Sequence, residues 1–176
     1  MFNVKNVCPG DPEFAELKRF TADIFPPEEV VPEEAFGEDV PPYQAYYDGD
    51  IVVGFTRLRK AENFWVIFYL AILPQFRSRG YGGKIMDTLL SEAGDIPVCL
   101  DIEALDKNAP NYEQRVRRLK FYEKHGMYDT GYTLEYMGGR FMMLSSEPGV
   151  VARMLGENDD MRQKSEAHGV KIFKSR

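Results

Sequence analysis

A long apolar run and a helical repeat enclose a basic, glycine-rich turn, and this junction constrains the fold more than any other part of the sequence. The run from Phe64 to Leu73 is typical of a buried strand, and the apolar residues after the turn recur at helical spacing. The turn between them, residues 77–84, has the sequence RSRGYGGK. The sequence therefore predicts a strand, a tight turn and a helix in direct succession.

The turn is suited to binding phosphate. Amides in the first turn of a helix have no partners within the helix, and the helix dipole adds partial positive charge there. Glycines permit positive φ and a close approach of the backbone. Arg77, Arg79 and Lys84 add full charges in a window that contains no acid. The turn matches neither the G-x-G-x-x-G pattern of dinucleotide-binding folds nor the P-loop pattern.

Two phrases of the sequence resemble the GNAT superfamily of N-acetyltransferases. Residues 77–82 are similar to the family's acyl-CoA pyrophosphate loop, R-x-x-G-x-G. Residues 121–127, FYEKHGM, are similar to the phrase F-Y-x-x-x-G-F, with Met in place of the final Phe. A predicted strand at 97–103 and a predicted helix carry the chain from one phrase to the other, in the family's order. The resemblance covers roughly residues 40 to 145.

The resemblance implies a fold and a co-substrate. The fold is α/β, with a GNAT-like mixed, mostly antiparallel central sheet flanked by helices and a splayed pair of strands that holds acyl-CoA. Acetyl-CoA is the implied co-substrate, bound by the turn and by main-chain groups of the strand before it. The residues so assigned are Ala71, Ile72, Leu73, Arg77, Arg79, Gly80, Tyr81, Gly82, Gly83 and Lys84.

A tyrosine is the first candidate for catalysis. The resemblance places Tyr122 where many family members keep a tyrosine near the CoA sulfur. A hydroxyl there acts as a general acid that protonates the leaving thiolate. The alternative is an amphipathic core tyrosine whose hydroxyl has a purely structural partner.

The acceptor amine must also lose a proton, and carboxylates on one strand are the candidate bases. Alternation along 97–103 places Cys99, Asp101 and Glu103 on one face. Glu103, nearer the end of the strand, is our first candidate and Asp101 our second. A surface carboxylate without a catalytic role, or proton transfer to water, are the alternatives.

The helix after this strand carries further polar residues. Asn111 is predicted to cap it, with a contact to the pantetheine as the alternative. Arg115 and Arg118 are expected on a solvated face, where either could instead touch a phosphate or an acidic acceptor. His125 lacks the companion residues that a metal site needs, so no metal is expected.

Composition narrows the function classes. The chain has 176 residues and a net charge of −6, which argues against nucleic acid as a partner. The longest apolar run, ten residues, is about half of what a spanning helix needs, so no membrane partner is expected. The N-terminus lacks the apolar segment of a signal peptide, and the predicted location is the cytoplasm.

One acid-rich stretch bears on the acceptor. Residues 28–39 hold six acids and no base, with a short helix as one interpretation, and the resemblance places them beside the acceptor pocket. They favour, weakly, a cationic amine such as a polyamine, an aminoglycoside or a lysine-like group. We predict one acetyltransferase domain at 1–146 and a C-terminal extension at 147–176 packed on it. Whether the chain forms a homodimer is left open.

These observations predict an N-acetyltransferase that moves acetyl from acetyl-CoA to a small-molecule or peptide amine by direct attack in a ternary complex. A non-catalytic acyl-CoA-binding or sensor module is the main alternative. A structural α/β protein with a fortuitous loop is the third, and failure to bind CoA would favour it.

Overall fold

The computed structural model describes residues 2–36, 40–157 and 169–175, and the chain forms two compact units, Met1–Gly94 and Asp95–Arg176. In chain order the first unit contains β1 (Phe2–Val7), α1 (Pro12–Ile24), 3₁₀ turns at Pro27–Glu29 and Glu33–Phe36, β2 (Tyr43–Asp48), β3 (Ile51–Lys60), β4 (Trp65–Ile72), a 3₁₀ turn at Pro74–Phe76, and α2 (Tyr81–Ala93). The second contains β5 (Val98–Glu103), α3 (Tyr112–Lys124), β6 (Tyr128–Tyr136), β7 (Gly139–Ser145), α4 (Val150–Glu157) and β8 (Lys171–Lys174).

The first unit is an antiparallel sheet in the order β1-β2-β3-β4. A tight turn through Gly49, at φ +63°, joins β2 to β3, where the sequence predicts a hairpin. Helix α1 begins after Asp11 with proline at its first position and buries Leu17 and Thr21. Helix α2 buries four side chains at helical spacing: Ile85, Met86, Leu89 and Ala93. This order places the glycine-rich turn directly between β4 and α2.

The second unit is also antiparallel, in the order β5-β7-β6-β8. The hairpin between β6 and β7 turns at Gly138, at φ +79°. Val150 and Val151 of α4 are buried against Cys99 of β5, so this cysteine is a buried thiol. Strand β8 pairs with β6.

The alternation of antiparallel strands and flanking helices confirms the predicted α/β class. The short helix expected within 28–39 takes the form of two separate 3₁₀ turns, and residues 37–39 lie outside the described part. Helix α4 and strand β8 lie in the extension at 147–176, where the sequence shows no clear periodicity. Among the residues that the structure describes, no helix is both long and apolar enough to cross a membrane.

Candidate functional site

The turn before α2 exposes a row of backbone donors. Gly80 precedes the helix in the left-handed region, at φ +82° and ψ 0°, and Ser78 also has a positive φ, of +60°. The first hydrogen bond of the helix runs from the Lys84 amide to the Gly80 carbonyl, at 3.2 Å. The amides of residues 81–83 therefore precede the helical ladder, and no acid occupies this first turn. Free amides at a helix N-terminus can bind a phosphate group.

Three cationic side chains belong to this turn and the start of α2. Nε of Arg77 donates to the Ile72 carbonyl at 3.2 Å, so this side chain folds back along the end of β4. The Arg79 guanidinium lies 5.7 Å from the centre of the Phe76 ring, and Nζ of Lys84 lies 5.3 Å from that of Tyr81. The turn thus combines unpaired amides with positive charge, as the sequence predicts.

A carboxylate that sequence reasoning missed holds this turn in place. The Tyr81 hydroxyl donates to Oδ2 of Asp48 at 2.7 Å, and this hydrogen bond lowers the pKa of the Asp48 carboxyl. Asp48 ends β2, 33 positions before Tyr81, so no local pattern connects the two residues.

The main-chain groups at the end of β4, the strand before the turn, point to two different edges of that strand. The Leu73 amide donates to the Val53 carbonyl at 3.0 Å, and Ala71 pairs with Phe55, so both face β3. Because alternate residues of a strand direct their main-chain groups to opposite edges, Ile72 faces the other edge. Of the three residues predicted to pair with pantetheine, Ile72 therefore has its main chain on the edge away from β3.

In the second unit, two predicted catalytic residues, the buried Tyr122 and the half-buried Asp101, are electrostatically linked. The Tyr136 hydroxyl donates to Oδ2 of Asp101 at 2.9 Å. Burial raises the pKa of the Asp101 carboxyl to about 6, and the Tyr136 hydrogen bond partly opposes that rise. Burial likewise raises the pKa of Tyr122 to about 12; the Arg118 charge lowers it and the Asp101 charge raises it further. Tyr122 therefore keeps its proton at neutral pH.

Glu103 lies in a different environment, because positive groups bind both of its oxygens. Arg115 contacts Oε1 at 2.9 Å and Arg118 contacts Oε2 at 2.9 Å. The Asn111 amide donates to the same oxygens at 3.0 and 3.3 Å. These donors occupy the lone pairs that a base would use.

The residues around Glu103 differ from their predicted roles. Asn111 precedes α3, but its side chain makes no capping hydrogen bond; its amide oxygen instead accepts from Nε of Arg115 at 2.8 Å. Arg115 also donates to the Ala104 carbonyl at 2.7 Å, so it is not part of a solvated face. Asn111, Arg115 and Arg118 thus tie α3 to the end of β5.

Tyr136 is the residue of this cluster that the sequence analysis did not single out. It lies on β6, 35 positions from Asp101, and its ring stacks on Phe141 at 4.4 Å. Only the pairing of β5, β7 and β6 brings it to Asp101. Among the described residues, no group of three His, Cys, Asp or Glu side chains is placed to hold a metal ion.

Comparison with known proteins identifies the same family as the two phrases. Residues 42–126 match the model of the acetyltransferase (GNAT) domain. Comparison with curated proteins by sequence finds no match.

Solved structures show the same fold at low identity. A GNAT-family protein from Bacteroides thetaiotaomicron is 21% identical, with a TM-score of 0.68 over 96% of this chain and 99% of the other. The ribosomal-protein-S18-alanine N-acetyltransferase of Escherichia coli is 16% identical, with a TM-score of 0.58 over 82% and 92%. A GNAT acetyltransferase from Elizabethkingia anophelis, solved with acetyl-CoA bound, is 12% identical, with a TM-score of 0.57 over 82% and 96%.

Residues 42–126, which include the turn at 77–84, match the GNAT acetyltransferase domain, and the solved GNAT-family structures share the fold of the chain.

Proposed function

We propose that this protein is an acetyl-CoA-dependent N-acetyltransferase that transfers acetyl to a primary amine by direct attack in a ternary complex. The observation that carries the proposal is the turn at 77–84, with Gly80 at φ +82° before amides 81–83. These donors, with Arg79 and Lys84 beside them, fit the diphosphate of CoA in charge and hydrogen-bonding capacity.

Acetyl-CoA supplies an activated acyl group whose leaving atom is a sulfur. The amine nitrogen attacks the thioester carbonyl carbon, a C–N bond forms, and the C–S bond breaks to release the thiolate of CoA. The role that we propose for Tyr122 is to give its hydroxyl proton to that thiolate. Its raised pKa keeps the proton available at neutral pH.

The base must take a proton from the acceptor nitrogen, and the two carboxylates of β5 differ in their fitness for this. Asp101 accepts one hydrogen bond from Tyr136, and its pKa of about 6 is close to neutral pH. Glu103 is bound by Arg115, Arg118 and Asn111. We therefore propose Asp101 as the base and a structural role for Glu103, which reverses our order of preference from the sequence. Glu103 as base stays a prediction, which the pH dependence of kcat/KM in variants of the two carboxylates tests.

A two-part experiment tests the proposal. Calorimetry measures binding of acetyl-CoA and CoA, which should have similar dissociation constants because the turn binds the part common to both. A screen of primary amines then follows release of free thiol from acetyl-CoA. Thiol release that depends on an amine supports the transferase, whereas tight binding with no turnover of any amine would indicate a non-catalytic acyl-CoA-binding module. Failure to bind either ligand would refute both.

A cytoplasmic location and an absence of nucleic-acid, membrane and metal partners stay predictions from the sequence.

A further inference from the structure

The first unit contains a cavity of about 230 Å³ whose lining residues do not include the turn at 77–84. It lies beneath the segment that carries the first two 3₁₀ turns, with α1 on one side and β2, β3 and β4 behind it. Three aliphatic residues of that segment, Val30, Val31 and Pro32, form its outer wall, and Tyr43 and Tyr69 form its inner wall.

An ion pair between a buried arginine and a half-buried glutamate fixes the outer wall in position. Arg57 of β3 is 1% exposed, and its two terminal nitrogens bind the two oxygens of Glu33 at 2.8 Å each. Its Nε donates to the Pro41 carbonyl at 3.2 Å, and its guanidinium lies 4.4 Å from the centre of the Phe36 ring. Because a two-pronged Arg–carboxylate pair fixes geometry as well as charge, the cavity is a shaped site.

The polar groups of the cavity already have partners. The Tyr69 hydroxyl accepts from the Val31 amide and donates to the Glu29 carbonyl at 3.3 Å. The Tyr43 hydroxyl lies 3.1 Å from Oγ1 of Thr21. What these residues offer to a ligand is therefore their ring faces and the aliphatic side chains opposite them.

The charges around the cavity also favour an uncharged group as its ligand. Arg57 neutralises Glu33, and Nζ of Lys18 lies a further 3.8 Å from the same carboxylate. Glu34 also borders the cavity, but it is exposed, where attraction between charges is weak. In the described part of the acid-rich stretch, the cavity thus has little net charge to attract a polycation.

The cavity is close to the strand predicted to carry CoA. Tyr69 and Ala71 lie on one face of β4 and belong to one buried cluster. Residues two apart on a strand are separated by about 7 Å, so Tyr69 brings the cavity within reach of the reacting end of a pantetheine that follows β4.

We propose that this cavity receives the apolar body of the acceptor, so that the substrates are primary amines on a small, uncharged hydrocarbon group and not polyamines. The inference rests on the proposed transferase function and specifies its substrate class. The walls select the hydrocarbon by burial, since one methylene in such a pocket changes kcat/KM by about 10- to 200-fold.

The test compares isopentylamine with spermidine as acceptors for three proteins. Wild type should have at least a tenfold higher kcat/KM for isopentylamine. Val31→Trp fills the cavity and should lower that value at least tenfold while leaving the dissociation constant of acetyl-CoA unchanged. The control, Ile51→Trp, adds the same side chain at a residue that is 58% exposed and outside the cavity, and should behave as wild type.

A second variant protects the test against misfolding of Val31→Trp. Val31→Ala enlarges the cavity and should raise the ratio of kcat/KM for phenethylamine over isopentylamine. The inference is refuted, with the transferase intact, if spermidine is preferred, or if both folded Val31 variants keep the wild-type selectivity. If the wild type binds acetyl-CoA but acetylates no amine, the proposed function itself fails and this inference falls with it.

Discussion

A single charge at the head of α2 should separate CoA binding from folding. In Gly82→Asp, a carboxylate enters a first turn that holds no acid and lies beside the amides of residues 81–83. Two like charges about 5 Å apart repel by about 3 kcal/mol at an effective dielectric of about 20. The dissociation constant of acetyl-CoA should therefore rise by about two orders of magnitude or more.

The same substitution should make the folded protein more stable. A carboxylate near a helix N-terminus interacts favourably with the helix dipole and stabilises the helix by about 0.3 to 1 kcal/mol. The matched variant is Gly82→Asn, which has the size of Asp without its charge. Relative to it, Gly82→Asp should melt about 1 to 4 °C higher in the absence of ligand. Affinity and stability then move in opposite directions, which a misfolded turn cannot produce.

Calorimetry at low salt and thermal unfolding of both variants give the two readouts. Raising the salt concentration should narrow the difference in affinity, because the site is partly open to solvent. If the Asp and Asn variants bind acetyl-CoA equally tightly, the first turn of α2 is not the pyrophosphate site, and the argument from its free amides is wrong.

Four further predictions concern the second unit and the buried arginine. Tyr122→Phe should lower kcat by about 10²- to 10⁴-fold in single-turnover measurements, with the affinity for acetyl-CoA unchanged; wild-type chemistry in this variant would make Tyr122 a packing residue. Because the base must be ionised to accept a proton, the kcat/KM of the wild type should fall as the pH drops below about 6. Asp101→Asn should abolish this pH dependence along with most of the activity. Glu103→Gln should give a pH profile of kcat/KM parallel to that of the wild type. Because the pKa of Asp101 is raised in the folded protein, its protonated form stabilises the fold at low pH, and this stabilisation is lost as the pH rises from 3.8 to about 6. Asp101→Asn should therefore flatten the decline in unfolding free energy as the pH rises through this window. A decline that persists in the variant would contradict the raised pKa of Asp101. Arg57→Leu should lower the free energy of unfolding by about 1.5 to 3 kcal/mol in chemical denaturation, because it removes the paired hydrogen bonds to Glu33, whereas Lys5→Ala, which breaks an exposed pair, should lower it far less.

The sequence by itself determined the parts of this protein that depend on neighbours along the chain. A strand, a glycine that adopts positive φ and an amphipathic helix are each specified by residues a few positions apart. The junction at 77–84 could therefore be predicted with its free amides and its charges. The same holds for the hairpin turns at Gly49 and Gly138 and for the burial of Cys99.

The partners of charged and hydroxyl groups were decided only by the tertiary structure, because they join residues far apart in sequence. Alternation placed Asp101 and Glu103 on one strand face, but it could not show that two arginines bind one of them and a tyrosine the other. Strand β8 also depends on the tertiary structure, because its four residues have no strong sequence pattern and form a strand by pairing with the edge of β6. Local sequence thus predicted the turn that we propose as the phosphate site, while pairing across 24 positions, from Glu33 to Arg57, decided the shape of the cavity proposed for the acceptor.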